Sequence, residues 1–183
     1  MSPQSVAHDF VERLNYSHGV EIEAGIRGYL LGMIPGAAEL VEPTTAQDKS
    51  GADLWVRRYG LPPVGVDFKH RSFCPIEKYG TDDACVEICS VMINGRHVKD
   101  GWTIDRKKRT DLVVYTWPSC EGRRRFWVLW FPLLQAAAIA NRESWVKRYR
   151  SFPARNDGYQ TISIYPERQE IAAAMHSLPS GVA

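Results

Sequence analysis

The octapeptide VGVDFKHR, residues 64–71, sets an acid and an amine two positions apart, Asp67 and Lys69, among valines and a phenylalanine suited to a core. A buried charge is costly unless it is paired or bound to a metal. A second acid, Asp53, stands upstream in the segment SGADLWV. Two carboxylates brought to one point repel each other unless a cation lies between them. Oxygen ligands of that kind, completed by waters and a substrate phosphate, suit Mg²⁺, with Mn²⁺ as a substitute. A lysine beside them can orient or deprotonate an attacking water, or stabilise negative charge developing at phosphorus, while the metal acts as Lewis acid. Those parts fit phosphodiester hydrolysis. The plainer alternative is an ion pair on a solvated sheet face.

Such chemistry needs a strand pair to bring Asp53 to Asp67. In a strand, side chains alternate, so Val64, Val66 and Phe68 face one way while Gly65, Asp67, Lys69 and Arg71 face the other. Residues 52–59 (ADLWVRRY) and 64–71, separated by the turn-rich GLPP, are expected to form a hairpin. If it folds about Leu61, residue 53 lies opposite 69; a register shift of two puts it opposite 67. Further strands are expected at 84–93, at 96–104 after an Asn-Gly turn, at 111–117, at 124–131 and at 159–165. The nearly continuous apolar character of 111–117 and 124–131 predicts burial on both faces. Helices are expected over 5–17, over 21–34 with Pro35-Gly36 closing it, over 133–149 with Pro132 in its first turn, and over 166–178. Three glycines inside 21–34 weaken that helix unless they permit close packing against a sheet. The pattern predicts an α/β fold, a mixed central sheet flanked by helices, in one domain over 1–183.

Composition narrows the classes. Hydrophobic residues at 44% and charged ones at 24% exclude disorder and fibrous architectures. No apolar run approaches the roughly 18 residues of a membrane span, and the first residues lack the layout of a secretory signal, so a cytoplasmic protein is expected, with no membrane partner. The net charge of +2 is small, but basic residues crowd into 96–109, 123–125 and 146–150, where they can meet a phosphate backbone or serve as solvated faces. Trp102, Trp127, Trp130 and Trp145 lie nearby and are assigned mostly to the core. Cys85 and Cys89, if on one strand, stand about 13 Å apart, too far to share a zinc ion, so the cysteines are expected to be free thiols.

Asp53 in one hairpin strand and Asp67-Phe68-Lys69 in the next, with helices before and after, resemble the PD-(D/E)XK nuclease superfamily of restriction endonucleases, Holliday junction resolvases and phage exonucleases. The resemblance covers residues 20–95 and departs from the pattern at Ala52, where the family's proline would stand. It implies a restriction-endonuclease-like αβββαβ core, a divalent metal, Mg²⁺ or Mn²⁺, bound by Asp53 and Asp67, and a water-activating Lys69. It implies a nucleic acid substrate, with DNA expected, and a homodimer, since members that cut both strands often pair. Many members carry an acid on the first core helix; Glu23 is the candidate, with Glu21, Glu39 and Asp48 competing. Arg71, Arg106 and Lys107 are candidates for holding phosphate. Glu87, in the strand over 84–93, is a further ligand, an acceptor for Lys69, or a partner for Arg71. An acid-x-Lys triplet arises by chance about once in a chain of this length, and Asp105-Arg106-Lys107 is a second one. It lacks an apolar anchor face, which is why 67–69 is preferred. Two rival functions are a nuclease-fold protein that binds nucleic acid or protein without catalysis, and an unrelated interaction protein such as a phage-encoded inhibitor.

Overall fold

The computed structural model describes residues 24–44, 51–119, 121 and 123–179. The helix expected over 5–17, Glu21, Glu23 and Asp48 lie outside the described residues. The first described helix, α1 (Ala24–Met33), is followed by strands β1 (Ala37–Val41), β2 (Leu54–Arg58) and β3 (Leu61–His70). Then come a short helix α2 (Pro75–Tyr79) and strands β4 (Val86–Ile93), β5 (Arg96–Asp100), β6 (Leu112–Pro118) and β7 (Arg124–Trp130). Helix α3 (Phe131–Arg148), strands β8 (Ser151–Arg155) and β9 (Gln160–Ile164), and helix α4 (Arg168–His176) complete the order. The architecture is mixed α/β with two sheets. Among the described residues no helix is long and apolar enough to cross a membrane.

The larger sheet runs β1-β2-β3-β6-β7. Its neighbours are antiparallel except β3 and β6, which are parallel. Each face carries its own apolar layer. On one, Ile26, Leu30 and Ile34 pack onto Leu54, Val56, Val64, Val66, Phe68, Leu112 and Val114. On the other, Val113, Tyr115, Trp117 and Leu129 meet Leu134, Ala138 and Trp145 of α3, Ile171 of α4, and Val86, Ile88 and Ile164 from the second sheet. That sheet, β5-β4-β9-β8, is antiparallel throughout. It joins a hairpin inserted between β3 and β6 to a hairpin that follows α3.

The strand over 84–93 therefore does not adjoin the β2–β3 hairpin; β6 takes that place. One alternative and one expectation are overturned. A Cβ at Gly25, Gly28 or Gly32 would meet nothing within 4 Å, so these glycines do not serve close packing against the sheet. Strand β6 is buried on both faces, but β7 has one neighbour among the described residues and leaves Arg125, Phe126 and Trp130 exposed. Strand β1, strand β8 and helix α2 have no counterpart in the sequence pattern.

Candidate active site

The tight turn at Tyr59 and Gly60, where Gly60 has φ +65°, pairs Arg58 with Leu61, and a bulge between Val56 and Arg58 then shifts the register by one residue. Leu54 pairs with Val66, and one position on, the Asp53 N–H donates to the Val66 carbonyl at 2.9 Å. The turn thus lies just before Leu61, and the pairing puts Asp53 opposite Asp67 rather than Lys69. One Asp53 carboxylate oxygen accepts the Phe68 N–H at 2.7 Å, which fixes the side chain against the neighbouring strand. Further along that face, Trp55 lies over Gly65, where an added Cβ would be crowded, 3.0 Å from the Arg109 carbonyl and 3.3 Å from the indole.

Residues 64–68 are buried without interruption, because the sheet is covered on both sides. Asp67 is 6% exposed, while Asp53 at the mouth is open to solvent. The Lys69 ammonium lies 2.7 Å from both Asp67 carboxylate oxygens, and its side chain keeps 30% of its surface. Burial pushes the Asp67 carboxyl up to about 7; Lys69 pulls against that shift, and the Asp53 carboxylate opposite it adds to it. Burial pulls the Lys69 ammonium down, but Asp67, Asp53 and Glu87 outweigh it and the net shift is upward. Lys69 is thus held as a cation among three acids. The structure brings Asp53, Asp67 and Lys69 together on one face.

The other candidates are distributed differently. Arg71 turns away from Lys69 and pairs with Asp83, donating at 2.7 Å to its carboxylate and at 3.0 Å to its carbonyl. Arg150 and Thr81 complete the shell of that buried acid. Glu39 pairs with Arg57. Asp105, Arg106 and Lys107 occupy a turn, not a strand: the Lys107 N–H donates to the Asp105 carboxylate at 3.0 Å, and both cationic side chains are exposed. The turn is tied to the site's rim, since Thr110 donates to the Gly51 carbonyl at 2.7 Å and Asp111 accepts the Gly65 N–H at 2.7 Å. His70 faces the opposite side of the sheet, stacked on Phe68 and bonded to Thr116.

Cys85 and Cys89 are free thiols. Among the described residues no group of three or more His, Cys, Asp or Glu side chains is arranged to hold a metal. Sequence reasoning does not single out Trp102, whose ring lies 4.6 Å from the Lys69 nitrogen. No local pattern marks it, because the contact joins β3 to the loop that follows β5, far along the chain. No family model, curated protein or solved structure matches this chain.

Proposed function

We propose that this protein is a metal-dependent nuclease of the PD-(D/E)XK type, hydrolysing phosphodiester bonds of nucleic acid, DNA foremost. One observation carries the proposal: two carboxyl groups opposite each other on neighbouring strands, with the Lys69 amine 2.7 Å from both oxygens of the inner one. An inner acid raised to about 7 by burial and by a second acid is a site short of positive charge. Asp53 and Asp67 suit a hard divalent cation that takes two carboxylates and fills its remaining positions with water and phosphate. When bound, Mg²⁺ or Mn²⁺ would supply Lewis-acid polarisation of the phosphoryl oxygens. Lys69, a cation pinned by Asp67, would orient the attacking water and stabilise charge at phosphorus rather than remove a proton. The exposed Arg106 and Lys107, on the turn tied to Gly51 and Gly65, would meet the phosphate backbone.

The order of elements supports the same reading. A helix, three antiparallel strands, a crossover and a fourth strand parallel to the third follow one another as in an αβββαβ core. The crossover departs from that scheme, holding the five-residue α2 and the β4–β5 hairpin in place of a long helix.

The test is cleavage. Purified protein is incubated with single-stranded, duplex and branched DNA and with RNA, in Mg²⁺, in Mn²⁺ and in EDTA. Cleavage is expected with either metal and none with EDTA. Asp67→Ala and Lys69→Ala are each expected to lose about 10²- to 10⁴-fold in rate, with circular dichroism unchanged. Cleavage that survives both substitutions overturns the assignment.

A further inference from the structure

A lysine amine ends a flexible four-carbon stem, and holding it in one place costs rotamer entropy. Asp67 provides one anchor for Lys69. The second is Trp102, in the loop that follows β5, with the Lys69 nitrogen 4.6 Å from its ring centroid.

Trp102 is itself tightly held. Its ring stacks on Phe131, the first residue of α3, at 5.9 Å and 24°, and tilts against Tyr115 at 6.4 Å. Its backbone N–H donates to a Glu87 carboxylate oxygen at 3.1 Å. Ser90 donates to that same Glu87 oxygen at 2.6 Å, and the Glu87 N–H donates to the Thr103 hydroxyl at 3.1 Å. Gly101 lies on the Glu87 backbone so closely that a Cβ would fall on its carbonyl. The inserted β4–β5 hairpin therefore presents two things to Lys69 as one rigid unit: an aromatic face, and a carboxylate whose charge is felt at the amine.

Resting on the nuclease reading above, we propose that Trp102 is a positioning residue for Lys69, and that the β4–β5 hairpin exists in this fold to set the amine against Asp67. The indole's negative face attracts the ammonium, and its bulk closes the positions to which the stem would otherwise swing. In this role Trp102 acts through Lys69 and does not touch substrate. Its loss should slow the chemical step and leave substrate affinity unchanged.

Two readouts test this in the full chain. The first is steady-state cleavage of DNA with Mn²⁺. Trp102→Leu is expected to lower kcat about tenfold with KM held within about twofold, and Trp102→Phe, a weaker π-face that can still stack on Phe131, to lower it about two- to threefold. The second is the lysine Hε signals in ¹H–¹³C spectra of metal-free protein, with Lys69 assigned through Lys69→Arg. The indole ring current is expected to shift the Lys69 signals upfield in the wild type, to release them in Trp102→Leu and to shift them partway in Trp102→Phe. Where Trp102→Leu does not fold, Trp102→Phe is judged by the same two readouts. An unchanged kcat in an active protein, or Lys69 signals that do not move, overturns the positioning role and leaves the nuclease reading intact. A wild type that cleaves none of the nucleic acids overturns both.

Discussion

Asp67 ties the stability of the fold to pH. Its carboxyl ordinarily titrates near 3.8 and is raised to about 7 in the folded chain, chiefly by burial. A group that binds its proton more tightly when folded takes up protons on folding, so its contribution is most favourable below about 4 and is lost as pH rises to about 7. In EDTA, urea unfolding should show the wild type losing stability relative to Asp67→Asn between pH 5 and pH 8, on the order of 2 kcal/mol. An equal gap at both pH values would contradict the raised proton affinity of the buried Asp67 carboxyl. The opposite trend holds for Mn²⁺ affinity, which should weaken below about pH 7 because Asp67 must release its proton to bind. The Asp-x-Lys spacing and the apolar partners at 64, 66 and 68 make these two side chains legible in the sequence itself. Arg71 shows where that reasoning ends: alternation places it on the same face as Lys69, but β3 stops at His70, and beyond it the chain turns Arg71 toward Asp83.

At the level of elements, a turn and a bulge together decide which charges meet. Had the β2–β3 hairpin turned about Leu61, Asp53 would face Lys69; with the turn at Tyr59 and Gly60 and the one-residue bulge between Val56 and Arg58, it faces Asp67. Strand β8 escapes a reading by propensity because Pro153 disfavours strand, yet an edge strand tolerates proline by pointing the missing donor side outward. Strand β1, with its alanines, offers no alternating pattern to read. The β4–β5 hairpin is expected from its Asn-Gly turn, and Asn94 and Gly95 adopt the positive φ that turn requires, 48° and 76°. Its docking depends on Gly101. Gly101→Ala should displace the loop from Glu87 and destabilise the protein by about 1–3 kcal/mol in urea unfolding. A neutral Gly101→Ala would mean that the hairpin yields easily and does not brace the site.

At the scale of the molecule, one sheet divides two apolar layers, so the candidate site's strands are clamped from both sides. Leu30 and Leu134 are fully buried in opposite layers. Truncating either to alanine should cost about 2–5 kcal/mol. Because both layers grip the same strands, each substitution should lower the midpoint of a single unfolding transition. Two separated transitions in calorimetry would show that the layers melt independently. The same double clamping accounts for the buried run from Val64 to Phe68 and hence for the raised proton affinity of Asp67.

Local chemistry determined what the chain could announce by itself: helices with apolar stripes, strands by alternation, an Asn-Gly hairpin, and an acid-x-Lys triplet anchored on an apolar face. Each rests on contacts between residues close in sequence, where spacing translates directly into direction. Tertiary structure alone decided that β6 pairs with β3 in parallel, that the strand bearing Glu87 leaves for a second sheet, that Arg71 belongs to Asp83, and that Trp102 arrives over Lys69. Those contacts join residues far apart along the chain, and burial of whole faces, rather than any local spacing, selects them.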